Sequence, residues 1–482
     1  MSVLLAGGCA VGPNFKKPAA PDADAYAVSP VATAGTAGVR GGEAQRFLRG
    51  ADLSADWWTL FHSAPLNALI EHSLASNPDL KAAQAALSAA REGVLAQRGA
   101  YYPGVSGSLS ASRQRQAGTL APAPASNVDL YNLFTPEVSV AYVPDLFGLN
   151  RRTVESLQAQ TEAVRFQMIA TYNTLTANVV VTAIQQGSVQ LQIEATRELI
   201  DINTRSLQIL RLQSDKGYAS GLDVAAQESQ LAQVAATLPP LIKQAAQLHD
   251  LMATLAGEFP GQAGAGNFEL TSLELPQDLP VSVPADLVRQ RPDVRQAEAD
   301  LHAASAKIGI AVANRLPNVT LSAATGSTAL AVNQLLTSGT GFWSVGADLT
   351  APIFQGGALL HQERGAKAAY EQAAAQYRST VLAACQNVAD TLAALEEDAE
   401  ELKAAAAAAD AARSTLDLAQ RQWQGGYASY LTLLSAEQAY QQSRIALVQA
   451  QASRYADTAA LFQALGGGWW HRQALSAGSH EQ

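Results

Sequence analysis

Residues 215–229 read DKGYASGLDVAAQES, and residues 424–438 read QGGYASYLTLLSAEQ. Gly-Tyr-Ala-Ser stands twice, each time between long runs rich in Ala, Gln and Leu. The duplication is wider than these two stretches. Asn77-Pro78-Asp79-Leu80 is answered by Arg291-Pro292-Asp293-Val294, Leu87 by Leu301, Ala90 by Ala304 and Pro103 by Pro317. Pro144-Asp145-Leu146-Phe147-Gly148 is echoed, with a small shift, by Pro352-Ile353-Phe354-Gln355-Gly356. The chain is therefore an internal two-fold repeat. Each half reads as a helix opening on Pro-Asp, short alternating segments, a very long helix, the Gly-Tyr-Ala-Ser turn and a further helix.

The long helices follow from periodicity. Val164, Met168, Tyr172, Leu175 and Val179 recur at helical spacing, and no proline interrupts residues 151–213 or 358–424. Each helix is on the order of 65 residues, so near 100 Å at ~1.5 Å per residue. Such a helix cannot fold back on a core of its own and needs neighbours along its length, as in a coiled coil. Its abundant alanine suits close packing.

The segments between the prolines have a period of two. Val105 to Ser112 runs Val-Ser-Gly-Ser-Leu-Ser-Ala-Ser, and Val138 to Tyr142 runs Val-Ser-Val-Ala-Tyr. Val319 to Ala324 and Trp343 to Thr350 alternate in the same way. Each has an apolar face and a small polar face, as strands do. The pattern fits a transmembrane β-barrel, and the serine-rich face favours a water-filled lumen over a soluble half-buried sheet. Four strands cannot enclose a lumen, and a bilayer does not tolerate an open edge. Several chains must then share one barrel, and three would supply about twelve strands, within the even-numbered range of such barrels.

The expected layout is a leader-like start over 1–20 and an extended segment over 21–64. The first repeat, 65–258, has strands near 103–115 and 133–144, a long helix 150–213, a tip turn 214–221 and a helix. A linker covers 259–284. The second repeat, 285–465, has strands near 316–326 and 342–353, a long helix 358–424, a tip turn 425–430 and a helix. The tail is 466–482.

Composition removes other classes. The 482 residues carry a net charge of −10 with no basic cluster, which argues against nucleic acid. No apolar run is long enough for a membrane-spanning helix. The seven histidines are scattered, and no helical zinc motif, nucleophile elbow or phosphate loop stands in the chain. No catalytic residue, metal or cofactor is expected, and an enzyme is excluded. A non-channel periplasmic coiled-coil scaffold is the competing class, but a scaffold does not need the alternating serine strands.

Of the two cysteines, Cys385 shares a helix face with Val381, Val388, Leu392 and Leu395 and reads as a small buried hydrophobe. Cys9 ends Leu4-Leu5-Ala6-Gly7-Gly8-Cys9, which resembles the lipobox of bacterial lipoproteins, with Ala6 where that motif usually has Leu. The residues before it include no Lys or Arg. They fall short of the ~15–30 of a full signal peptide, so the leader is expected to be truncated. A covalent lipid on Cys9 is the one non-protein group implied. Ala10 follows, where an aspartate would retain a lipoprotein in the inner membrane.

Taken together, Cys9-Ala-Val-Gly-Pro-Asn-Phe-Lys-Lys-Pro18, Asn-Pro-Asp-Leu, Pro-Asp-Leu-Phe-Gly, Arg-Pro-Asp-Val and the doubled Gly-Tyr-Ala-Ser resemble the TolC-like outer membrane factor family. The subfamily is the lipoproteins that serve resistance-nodulation-division efflux pumps, and the likeness runs roughly from Trp57 to Gly466. The resemblance implies a mostly α fold with membrane β. It implies a homotrimer whose 12-stranded outer-membrane β-barrel, four strands per chain, continues into a long periplasmic α-barrel of coiled-coil helices. Residues 257–284 and 466–482 would form an equatorial belt, with Trp469 and Trp470 packed on it.

The resemblance also assigns roles to the tips. Gly217 and Gly426 would supply the turns, and Ser220 and Ser429 would cap the following helices. With Ala219 and Ala428 they would dock a periplasmic adaptor, or membrane fusion, protein. The family often places acidic residues just after the second turn to constrict the channel, but here those positions hold Thr432 and Ser435. Asp223 holds the first-repeat position matching Thr432. Gate candidates are therefore Asp215, Asp223, Tyr218, Arg421, Tyr427, Thr432 and Ser435, with Leu433 or Leu434 as an apolar plug. The partners implied are the adaptor, a proton-driven inner-membrane transporter and outer-membrane lipid, in a Gram-negative cell. The function implied is passive conduction of drugs or other small molecules. The family's other use, type I protein secretion, fits the lipoprotein-like start less well.

Overall fold

The computed structural model describes residues 10–21, 32–115, 130–261, 268–472 and 475. Cys9 lies outside them. The strands are β1 (Arg46–Arg49), β2 (Gly104–Arg115), β3 (Leu130–Tyr142), β4 (Asp278–Val281), β5 (Asn318–Ser327) and β6 (Gly341–Thr350). The α-helices are α1 (Ala64–Ser76), α2 (Pro78–Arg98), α3 (Leu149–Asp215), α4 (Gly221–Leu255), α5 (Pro284–Gln290), α6 (Pro292–Ala313), α7 (Ala358–Gln424) and α8 (Tyr430–Ala464). Helices α3 and α7 each run 67 residues without a break. No described helix is long and apolar enough to cross a membrane.

Helices α2 and α6 open on the paired Pro-Asp motifs, where proline's fixed φ and missing N–H cost nothing. Asn77 caps α2: its Oδ1 accepts from the backbone N–H of Asp79 at 2.9 Å and of Leu80 at 3.1 Å. Its amide also donates to the Leu255 carbonyl at 3.1 Å, tying α2 to the end of α4. In the second repeat Arg291 takes this place. It forms a bidentate pair with Asp293 at 2.9 and 2.6 Å and donates to the Ala464 carbonyl at 3.0 Å, at the end of α8.

Two compact units result, and they cut across the repeats. One takes Met1–Pro18, Ala86–Val164 and Ala297–Tyr377; the other takes Ala19–Ala85, Arg165–Gln296 and Arg378–Gln482. The first holds a four-stranded antiparallel sheet in the order β2-β3-β5-β6, with two strands from each repeat. The second holds a core in which Trp57 and Phe61 pack on Phe462, with ring centroids 5.5 and 6.3 Å apart. The segment expected to be extended, 21–64, contains β1, which pairs in parallel with β4. The tryptophan pair is anchored in this unit. Trp469 stacks edge-on to Phe166 at 5.6 Å and donates to the Gln290 carbonyl at 2.6 Å, while Trp470 donates to Asp52 at 3.0 Å.

Cys385 departs from expectation. Val388 and Leu395 on its face are fully buried, but Cys385 itself is half-buried. It lies at the margin of the stripe, where neighbouring helices of one chain cover it incompletely. Burial still pushes its thiol above the ordinary value.

Candidate functional site

The two tip turns are built alike. Gly217 and Gly426 have φ of +79° and +75°, the left-handed region that a Cβ disfavours. At the first tip the N–H of Tyr218 donates to the Gln213 carbonyl and that of Gly217 to the Ser214 carbonyl, at 2.8 and 2.9 Å. At the second, Tyr427 donates to Gln422 and Gly426 to Trp423, at 2.8 and 3.0 Å. Both are Schellman closures, which satisfy the last carbonyls of a helix. Ser220 then caps α4 by accepting from the Asp223 N–H at 3.2 Å, and Ser429 caps α8 by accepting from the Thr432 N–H at 3.4 Å. Each Gly-Tyr-Ala-Ser thus ends one helix and starts the next within four residues.

The gate candidates have different surroundings. Asp223 is engaged in a capping box: its Oδ2 accepts from the Ser220 N–H at 3.1 Å and the Ser220 hydroxyl at 2.7 Å. Thr432 stands in the same register, its hydroxyl 3.0 Å from that of Ser429. The Ser435 hydroxyl donates to the Leu431 carbonyl at 2.9 Å. Asp215 and Arg421 are exposed. Tyr218 and Tyr427 are the most open, 85 and 89% exposed. Ala219 and Ala428 are half-buried. Leu433 does not suit a plug, because it is buried with Leu210, Ala419, Tyr430 and Ala436 in the core behind the tips. Leu434 is half-buried.

Sequence reasoning missed the polar residues inside that core. The Tyr430 hydroxyl donates to the Gln227 carbonyl oxygen. The Gln227 amide donates to the backbone and side-chain oxygens of Asn203 at 2.9 and 3.0 Å, and Asn203 donates to the Leu199 carbonyl at 2.8 Å. The Gln438 amide reaches Gln230 at 2.5 Å. These bonds tie α8 to α4 and α3, across the two repeats. Glu437 is buried beside them with Oε2 lacking any partner, and burial pushes its carboxyl up to about 7. Burial and the nearby Glu437 and Asp223 raise the Tyr430 phenol. In helices so rich in Gln and Ala, no sequence signal sets these members apart.

The sheet has the two faces that the alternation demands. The β2–β3 register places Val105 opposite Val140 and Gly107 opposite Val138, while Ser106 faces Ser139 and Ser108 faces Glu137. The β5–β6 register continues it, with Ala323 opposite Val345 and Thr325 opposite Trp343 on the apolar side. Ala324 and Ser344 share the other side, as do Thr320 and Asp348. The apolar face is open: Leu109, Trp343 and Val345 are 74, 77 and 75% exposed. On the polar face the Ser106 and Ser139 hydroxyls meet at 2.9 Å. Among the described residues β2 and β6 each pair on one side only, so the sheet ends in two unpaired edges.

The family described as outer membrane efflux protein matches residues 69–258 and 283–467, one stretch for each repeat. The chain belongs to the outer membrane efflux protein family. It is 29% identical over 98% of its length to the probable efflux pump outer membrane protein TtgC of Pseudomonas putida, covering 95% of that protein. It is equally identical, over the same shares, to outer membrane protein OprJ of Pseudomonas aeruginosa. Among solved structures, the outer-membrane channel OprN superposes with a TM-score of 0.82 at 29% identity, over 96% of this chain and 100% of that one. As an outer membrane efflux protein, the chain has in its sheet and paired tips the parts of a TolC-like outer-membrane channel. It is an outer-membrane protein of a Gram-negative cell.

Proposed function

We propose that three copies of this chain form the exit duct of a tripartite efflux pump. The duct passively conducts drugs or other small molecules from a proton-driven resistance-nodulation-division transporter, through a periplasmic adaptor, to the outside. The observation that carries this reading is the sheet: four strands, apolar on one face and hydroxyl-lined on the other, with both edges unpaired. Only other copies can close such edges in a bilayer. Family membership and the efflux pump relative TtgC support the same assignment. Cys9 carries a lipid that holds the duct to the outer membrane. No step of catalysis is assigned to the chain, and no cofactor besides that lipid.

Gly217, Ala219, Ser220, Gly426, Ala428 and Ser429 shape the adaptor-docking tips, and the exposed Tyr218 and Tyr427 flank them. Closure of the mouth draws on Asp215, Tyr218, Arg421, Tyr427, Thr432 and Ser435, with Asp223 acting through its cap. Opening is a two-state repacking of helix pairs, which an adaptor drives by binding the open arrangement more tightly. Single-channel recording of detergent-extracted protein in a planar bilayer tests the reading. A low, flickering conductance is expected, and Asp223→Ala should raise it by loosening the first tip. Protein that inserts no pore and sediments as a monomer would refute the duct.

A further inference from the structure

Residues 10–17 lie in a shallow groove of the strand-bearing unit and are held there at Val11, Gly12, Asn14, Phe15 and Lys17. Arg152, near the start of α3, is only 4% exposed and spends its whole guanidinium there. Its Nε donates to the Val11 carbonyl at 3.0 Å, and its Nη2 to the Gly12 carbonyl at 3.3 Å and Asn14 Oδ1 at 2.8 Å. Its Nη1 donates to Glu155 at 2.7 Å, which fixes the fork. The Val11 N–H donates to the Phe147 carbonyl at 3.1 Å. Phe15 stacks on His302, with centroids 4.3 Å apart and planes within 12°, and Glu155 holds that imidazole at 3.0 Å. Lys17 pairs with Glu298 at 3.1 Å.

Glycines make the approach possible. A Cβ on Gly148, at φ +79°, would lie 2.6 Å from the Ala10 Cα. One on Gly12, at φ +88°, would lie 2.4 Å from the Gly309 Cα, and one on Gly309 would strike the Arg152 stem at 2.8 Å. A buried cation that donates from all three nitrogens, two of them to backbone carbonyls, an aromatic seat and a terminal ion pair are features suited to holding a peptide.

We propose that this groove is a docking site for the segment following Cys9, and that Arg152 is the positioning residue for the lipid anchor. Ala10 is held against Gly148, at the junction between the Pro144–Gly148 corner and α3. Ala10, the first described residue of the segment, is therefore fixed beside that corner. The groove holds its segment by contacts of its own, without help from the lipid. This second part rests on the reading of Cys9 as acylated; the docking itself does not.

Hydrogen exchange of the Val11 amide, which donates to the Phe147 carbonyl, tests it in the full, detergent-extracted protein. Slow exchange of that amide is expected in the wild type and in Cys9→Ser alike. In Arg152→Ala it should exchange at least tenfold faster, while β2 and β3 amides keep their rates. Arg152→Lys should not restore protection, because one ammonium cannot reach three separated acceptors. Phe15→Ala removes only the aromatic seat and should speed exchange several-fold, which keeps the test informative if Arg152→Ala fails to fold. Unchanged exchange in Arg152→Ala or Phe15→Ala would overturn the docking site. Loss of protection in Cys9→Ser would overturn its independence of the lipid. Palmitate labelling separates the two readings: slow exchange without label would remove the anchoring role and leave the groove.

Discussion

At the scale of single residues, the tips depend on a glycine in the left-handed region and a serine cap. Gly217→Ala and Gly426→Ala should each cost about 1 kcal/mol, the penalty of a Cβ at positive φ. Ser220→Ala and Ser429→Ala should each cost about 1 kcal/mol, the worth of a helix cap. Amide exchange across residues 213–224 and 422–433 reads both effects locally. Glu437 makes a different prediction. Its folded value of about 7 lies above the ordinary 4.5, so the packed state favours the neutral acid. Below pH 4.5 this costs nothing. As pH rises from there through 7 the unfolded carboxyl ionises first, and stability falls by up to about 3 kcal/mol before levelling. The melting temperature should therefore be higher at pH 5 than at pH 8, and Glu437→Gln should flatten that dependence and raise the value at pH 8.

At the scale of elements, the two repeats are not mechanically equal. Helix α4 contains Pro239 and Pro240, whereas its counterpart α8 contains no proline. Each proline lacks an N–H, which leaves the carbonyls of Ala235 and Ala236 without their helical donors. Amides around residues 235–242 should exchange faster than those in the middle of α8, and replacing both prolines with alanine should remove the difference. A stiffer α4 would be read as slower exchange in the first tip as well. The long helices themselves were legible in the sequence, because uninterrupted apolar spacing over so many residues admits little else. The strands were legible because serine marks every second position in β2. What stayed hidden depends on register between distant segments. Tyr430 meets Gln227 only because α8 lies against α4, and the Arg152 groove needs residues 10–17 beside α3 and α6. Cys385 is only half-buried for a related reason: helical spacing identifies a stripe but not how far a neighbour covers its edge. Leu433 likewise turned out to belong to the core behind the tips, on a face that spacing alone could not orient.

At the scale of the whole molecule, the duct depends on which face of the sheet meets hydrocarbon and which meets water. Ser108 and Leu109 are neighbours in β2 and point to opposite faces. Ser108 stands opposite Glu137 on the hydroxyl-lined side, and Leu109 stands opposite Pro136 on the apolar side. If three sheets close into a barrel with the hydroxyls inward, the two positions should respond oppositely to one charge. Leu109→Lys places an ammonium in the lipid near the middle of a strand, at a cost of about 2–4 kcal/mol per copy. Since each barrel would carry three, assembly and outer-membrane recovery should collapse. Ser108→Lys places the same group in water beside a carboxylate and should assemble normally. It should instead change what the pore conducts: with Glu137 neutralised in each copy, the reversal potential in a salt gradient should move toward anions. A soluble sheet packed on a protein core would give a different pair of outcomes, with Leu109→Lys impaired and Ser108→Lys silent in any bilayer recording. Measuring both variants for recovery and for reversal potential therefore distinguishes a lumen from a half-buried sheet, with adjacent residues as each other's control.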